Sequence, residues 1–124
     1  MARWTSTELN DIDKDDELAL QSVRQDGTRR DPVTMWVVRV GDDLYVRCMN
    51  GRDGGWFQAA LPGHQAHVRA DGVDKDVTLV ETDDSAVNDD IDTAYRTKYA
   101  RYAQIAESMT TAKVRAATLR LTPR

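Results

Sequence analysis

The alternation of apolar and polar residues sets out the elements of this chain. Val33 to Val40 is β-branched and apolar on both faces apart from Thr34 and Arg39. That predicts a strand buried on both sides, in the middle of a sheet or in a barrel wall. Gly41-Asp42-Asp43 predicts a hairpin turn, and Leu44 to Met49 returns antiparallel. Leu44, Val46 and Cys48 then share one face, and Tyr45, Arg47 and Met49 the other. Upstream, Trp4 to Asp13 predicts a short helix capped by Thr5 or Ser6, with Trp4, Leu9 and Ile12 as its apolar contacts. Leu18 to Val23 predicts a strand with one solvated face, followed by a turn at Asp26-Gly27 and an extended entry set by Pro32.

Downstream, Asn50 to Gly55 is a glycine-rich loop, and Trp56 to Leu61 predicts a short helix closed by Pro62-Gly63. His67 to Ala70 and Val77 to Glu81 predict a hairpin around Asp71-Gly72, with Thr82 to Asn88 as a polar linker. Asp89 to Met109 predicts one long helix, because Ile91, Ala94, Tyr95, Tyr99, Tyr102, Ala106 and Met109 fall on one stripe. Thr118 to Thr122 closes the chain as a strand. The expected fold is therefore α+β: six antiparallel strands curled into a barrel, with a short N-terminal helix, a short middle helix and a long C-terminal helix.

Composition narrows this only a little. The 124 residues, 40% of them hydrophobic, suit one domain over residues 1–124 with its own core. A single cysteine, Cys48, excludes an intramolecular disulfide and fits a reducing compartment. Met1 to Asn10 has no apolar core, and no apolar run is long enough to span a bilayer. The expectation is a soluble, cytoplasmic protein with no membrane partner. The net charge of −4 weighs against nonspecific nucleic-acid binding.

Charge is unevenly distributed, and this points to candidate chemistry. Arg24, Arg29, Arg30, Arg39, Arg47 and Arg52 fall in the central stretch, with no lysine among them. Arginine is the better fork for phosphate or carboxylate. Gly51, Gly54 and Gly55 remove Cβ atoms where a backbone could approach a phosphate, and Trp56 opens the helix that follows. Arg47 and Arg52 could add charge-assisted contacts to such an anion. The competing account is a plain strand-to-helix connection in which glycine is merely convenient. Trp36 and Trp56 could wall a planar ring, or belong to the core.

No catalytic motif stands on its own. His64 and His67 lie beside Pro62-Gly63, which disfavours a helix, and in a strand they would face opposite ways, so no metal site is expected. Cys48 groups with Leu44 and Val46 as a buried thiol, and the serines lack a nucleophile-elbow context. The catalytic residues are unknown.

Taken together, Trp36-Val-Val-Arg-Val-Gly-Asp-Asp-Leu-Tyr-Val-Arg47, Gly51, Trp56, Ala94-Tyr-Arg-Thr-Lys-Tyr99 and Thr118-Leu-Arg-Leu-Thr-Pro123 resemble the domain-of-unknown-function family 2255. That family resembles the flavin-binding split β-barrels, and beyond them the deazaflavin-dependent nitroreductases. The resemblance implies a split barrel, an FMN or deazaflavin cofactor, oxidoreductase activity and a homodimer. It implies that the basic turn, the end of the returning strand and the glycine loop approach the cofactor's phosphate end. Carried over residue by residue, the implied cofactor site is Arg29, Arg30, Arg47, Met49, Asn50, Gly51, Gly55 and Trp56. Asp26 and Asp31 place negative charge in the basic turn, which favours the alternative of a cofactor-free binding or interaction module on the same barrel.

Overall fold

The structure, a computed structural model, describes residues 3–124. Among the described residues, seven strands form one antiparallel sheet: β1 (Leu18–Ser22), β2 (Val33–Met35), β3 (Val38–Val40), β4 (Asp43–Arg47), β5 (Gln65–Ala70), β6 (Val73–Glu81) and β7 (Thr118–Pro123). Their order is β2-β1-β5-β6-β7-β4-β3. The two edge strands, β2 and β3, are separated in sequence by only Trp36 and Val37. Three chain steps span at most about 11 Å, so the sheet must curl until its two edges nearly meet. The α+β class and the curled sheet are as expected.

The strand count corrects the expectation of six. The stretch from Val33 to Val40 is not one strand: its first part pairs with β1, as Leu20 opposite Val33, and its second with β4, as Val38 opposite Tyr45. At the break, Val37 makes its backbone hydrogen bonds to side chains. Its N–H donates to the Tyr99 hydroxyl (3.1 Å), which in turn donates to the Asp16 carbonyl (2.7 Å). Its carbonyl accepts from Lys98 Nζ at 2.8 Å. Trp36 stacks flat on the Tyr99 ring, with centroids 3.8 Å apart. A bend in a sheet leaves peptide groups that must find other partners, and Lys98 and Tyr99 supply them.

The described residues form five α-helices: α1 (Ser6–Lys14), α2 (Gly55–Ala60), α3 (Ser85–Lys98), α4 (Ala103–Ser108) and α5 (Ala112–Arg115). At the start of α1, Thr5 accepts from the Glu8 amide while Glu8 accepts from the Thr5 amide, a reciprocal cap. The long helix expected from Asp89 to Met109 is corrected at both ends. It begins at Ser85, inside the expected linker, with Asp84 accepting from the Val87 amide. It stops at Lys98, because Tyr99 (φ −109°, ψ 34°) and Tyr102 (φ −118°, ψ 49°) leave helical geometry. The apolar stripe continues through the break, so periodicity alone gave no sign of it. The β5–β6 hairpin does turn at Asp71-Gly72, both with positive φ, although its strands are longer than expected.

Two apolar clusters result. The first fills the curl of the sheet, with Leu20, Val46, Leu79 and Leu119 from the strands, Leu9 and Ile12 from α1 and Phe57 from α2. The second lies on the opposite face of β3 and β4, where Val38 and Tyr45 pack against Ile91, Tyr95, Tyr99 and Met109. The strict alternation of β4 assigns its residues to these two layers, with Leu44 and Val46 in one and Tyr45 in the other. Among the described residues, no helix is long and apolar enough to cross a membrane.

Tyr99→Phe keeps the ring but leaves the Val37 N–H without its partner. The expected loss is about 1–3 kcal/mol, read as a lower midpoint in urea denaturation. An unchanged midpoint would exclude the hydroxyl as the clamp of the strand break.

Candidate functional site

Arg47 ends β4, and its side chain is fully enclosed, with 0% of it exposed. All five guanidinium N–H groups find acceptors. Nε donates to Thr118 Oγ1 (2.9 Å), and Nη1 to Asp92 Oδ1 (2.5 Å) and the Met109 carbonyl (2.9 Å). Nη2 donates to the carbonyl (3.2 Å) and the side-chain oxygen (2.8 Å) of Asn88. Five donors are all that arginine has, so none remains for a ligand. Asp92 is shared: its other oxygen accepts from Arg115 Nη1 at 2.6 Å, and that same nitrogen donates to Asp89 at 3.0 Å. In this arrangement Arg47, expected as a cofactor-phosphate ligand, fastens α3 and the α4–α5 turn to β4 and β7.

The glycine loop has a similarly internal explanation. Gly51 (φ 72°) opens a single 3-10 turn, and a Cβ there would lie 2.7 Å from Lys113 Cγ. A Cβ on Gly54 would collide with Cys48 Sγ. These two glycines let protein atoms approach closely, so their sequence signal is one of packing. Cys48 is buried, and burial pushes its thiol above the usual cysteine range. Met49 and Asn50 are exposed where β4 runs out. Arg29 is also exposed and reaches across to Asp76 at 3.7 Å.

Three of the expected residues do come together. Arg30, Gly55 and Trp56 line one cleft of about 350 Å³, floored by Leu20 and Val33. Arg24 and Asp31 complete its rim. Arg30 is half-buried, and its Nη1 donates to Ser22 Oγ (3.4 Å) and to the Ala59 carbonyl (3.3 Å). Among the described residues, its Nε and Nη2 take no protein partner. A second cleft of about 460 Å³ shares Arg24, Arg30 and Ala59 and extends along Val23, Gly63 and Gln65. Arg30 therefore stands between two adjoining cavities. The chain order explains this: β1 and the basic turn carry Ser22, Arg24 and Arg30, and α2 presents Trp56 and Ala59 to them.

The two histidines do not share a face. His64 (φ 54°) lies in the turn before β5. His67 is buried between two carboxylates of β6, with Nδ1 2.7 Å from Asp76 Oδ1 and Nε2 against Asp74 Oδ1. The His67 hydrogen bond holds the Asp76 carboxyl below its ordinary value. For Asp74, desolvation works upward, but hydrogen bonds from His67 and Arg69 outweigh it and the net shift is downward. Among the described residues, no group of three or more His, Cys, Asp or Glu is arranged to hold a metal ion.

The sequence reading missed Asn88, Asp92 and Thr118, the acceptors that enclose Arg47. A signal was present. Asn88, Ile91, Asp92 and Tyr95 fall at helical spacing on one face, so an amide and a carboxylate interrupt an apolar stripe. Polar groups in that position need an internal partner, and Arg47 was the arginine on an otherwise apolar strand.

A family model matches residues 8–121. The chain belongs to the domain-of-unknown-function family 2255. The description of that family is "uncharacterized protein conserved in bacteria". No curated protein matches it in sequence. Solved structures do match in fold. A conserved hypothetical protein of Mycobacterium tuberculosis superposes with a TM-score of 0.70 at 9% identity, covering 99% of this chain and 82% of that one. An F420-H2-dependent reductase gives 0.61 at 15% identity, over 86% and 93% of the two chains. A FAD-binding protein of Mesorhizobium loti gives 0.60 at 12%, over 98% and 91%. At such identities the likeness is one of fold, and it agrees with the split-barrel resemblance drawn from the sequence.

Arg47→Ala leaves a buried carboxylate short of a partner, and the expected cost is about 3–5 kcal/mol. Arg29→Ala, which breaks an exposed pair, is expected to cost less than about 1 kcal/mol. Urea denaturation of both variants checks this. Equal, small losses would remove Arg47 as the fastening of α3.

Proposed function

We propose that this chain binds a planar, phosphate-bearing cofactor of the flavin class, FMN or a deazaflavin, in the cleft between β1, the basic turn and α2, and works as an oxidoreductase. The observation that carries this is the meeting of Arg30 and Trp56 in one cleft: a guanidinium with Nε and Nη2 unused, beside a half-buried indole. The residues fit such a group in kind. Arg30, with Arg24 at the rim, offers charge-assisted donors to a phosphate. Trp56, Leu20 and Val33 offer an aromatic and apolar surface to a ring. Asp31 at the rim opposes the anion, so the phosphate end belongs on the Arg24 side. When bound, a flavin-type ring supplies the hydride chemistry. The chain's own residues hold it, orient it and keep the floor of the cleft apolar. Fold relatives described as an F420-H2-dependent reductase and a FAD-binding protein support this reading by analogy of architecture.

The proposal includes a homodimer. Tyr102 and Ile105, near the start of α4, are large apolar residues left 44% and 43% exposed, a surface that a second copy would cover.

A cofactor-free interaction module remains the second reading, and specific observations favour it. Arg47 has no donor to spare, and the Cβ positions of Gly51 and Gly54 are filled by Lys113 and Cys48. Titration with FMN and with a deazaflavin separates the two. The cofactor reading expects ring-absorbance changes with one of them, quenching of tryptophan fluorescence that Trp56→Phe reduces, and affinity lowered about tenfold or more by Arg30→Ala. Silence from both ligands leaves the cofactor-free module. Light scattering on the same sample is expected to give twice the chain mass, and a monomer would remove the dimer.

A further inference from the structure

A larger cavity, about 760 Å³, shares no lining residue with the Arg30 cleft. It sits over the enclosed Arg47 cluster. Arg52, Arg115, Asn88, Ser85, Thr82 and Thr110 line it, with Ala112 and Ala116 as small apolar patches. No residue here is used by the proposed cofactor cleft.

Both arginines hydrogen-bond within the fold through one nitrogen. Arg52 Nη1 donates to Glu81 Oε1 (2.6 Å) and to the Ala116 carbonyl (3.0 Å), and its guanidinium rests over the Phe57 ring at 5.2 Å. Arg115 lines the same cavity as Arg52. Arg115 Nη1 makes both of its contacts, to Asp89 and Asp92. Among the described residues, neither arginine has a protein partner on Nε or Nη2. Those two nitrogens form the edge of the guanidinium that grips an oxyanion with two parallel hydrogen bonds. Two arginines, each held through Nη1 and each with that edge unused, thus line one cavity with three hydroxyl side chains.

The acids nearby decide what can bind. Asp89 and Asp92 are matched by Arg115 and Arg47. Glu81 is matched only by Arg52, in a pair roughly half exposed on both sides, and such a pair holds weakly. Asp83 stands exposed at the rim. A ligand carrying two negative charges can therefore take the open edge of Arg52 beside Glu81 while drawing on Arg115.

We infer that this cavity is a second ligand site, for a small oxyanion of two negative charges, with the open edges of Arg52 and Arg115 as its anchors and Glu81 as the neighbouring charge that weakens the grip of Arg52. Phosphate monoesters and dicarboxylates share this chemistry. The test uses the full chain without flavin and two probes, inorganic phosphate and succinate, each against chloride at matched ionic strength. Isothermal titration and backbone-amide shifts report binding. The expected result is saturable binding of one or both, with shifts at Asn88, Thr110 and Ala116 and none at Gly55 or Trp56. Phosphate alone marks a phosphoryl ligand, and succinate alone a dicarboxylate. Arg52→Ala is expected to weaken binding about tenfold. Glu81→Gln, which removes a negative charge beside Arg52, is expected to tighten it. Arg52→Lys keeps the charge without the fork and is expected to fall in between. Binding no better than chloride, or Glu81→Gln leaving affinity unchanged, overturns the inference. Failure of flavin titration at the Arg30 cleft has no bearing on it.

Discussion

The molecule depends on how it keeps one guanidinium out of water. A cation with no exposed side-chain surface is expensive to bury, and the cost is met only if every donor is paired. Arg47 meets that condition with five acceptors from four residues, drawn from β7, from α3 and from the end of α4. Those segments are far apart in sequence, and none can shift without orphaning a donor. The cluster thus defines where α3 sits on the sheet, and through Asp92 and Arg115 it defines α5 as well. Apolar packing of Ile91, Tyr95 and Met109 supplies area, but area alone permits helices to slide. The arginine supplies the register.

A second constraint acts at the opposite end of α3. A seven-stranded sheet whose edge strands are joined by two residues has to bend sharply where the chain crosses from one edge to the other. Val37 is the point of crossing, and its peptide groups are taken by Tyr99 and Lys98. The same requirement ends the helix. Tyr99 must turn its hydroxyl toward Val37 and Asp16, and its backbone leaves helical geometry at that residue. One contact therefore accounts for two departures from the sequence pattern: the split strand and the divided long helix.

Local features were legible in the sequence. The Thr5 cap, the alternation in β4, the Asp71-Gly72 turn and the α+β curl follow from side-chain chemistry within a few residues. The features that were not legible depend on pairs distant in sequence. The break at Trp36-Val37 needs Tyr99, and Val33 to Val40 reads as one strand because both halves are equally apolar. Of the residues expected together, Arg30, Gly55 and Trp56 line one cleft, and Arg47 joins them in the sequence pattern only because its acceptors lie 41 to 71 positions away. The glycines are ambiguous for a related reason. A missing Cβ signals a close approach without saying whether a ligand or the protein's own Lys113 and Cys48 makes it.

The arginines of this chain differ chiefly in how many donors the fold consumes. Arg47 yields all five, and its charge serves the architecture. Arg30, Arg52 and Arg115 each give up Nη1 and keep Nε and Nη2, so each is positioned by the fold without being used up by it. Positioning lowers the entropic cost of gripping an anion, and the unused edge supplies the grip. The accounting of donors separates these three from Arg47 where proximity in sequence had grouped Arg30 with it. It also distinguishes two cavities with separate linings, one beside an indole and one above the buried cluster. A planar cofactor suits the first, because only there does a ring find Trp56 and an apolar floor. The second is walled by hydroxyls and small side chains, which suits a compact polar guest.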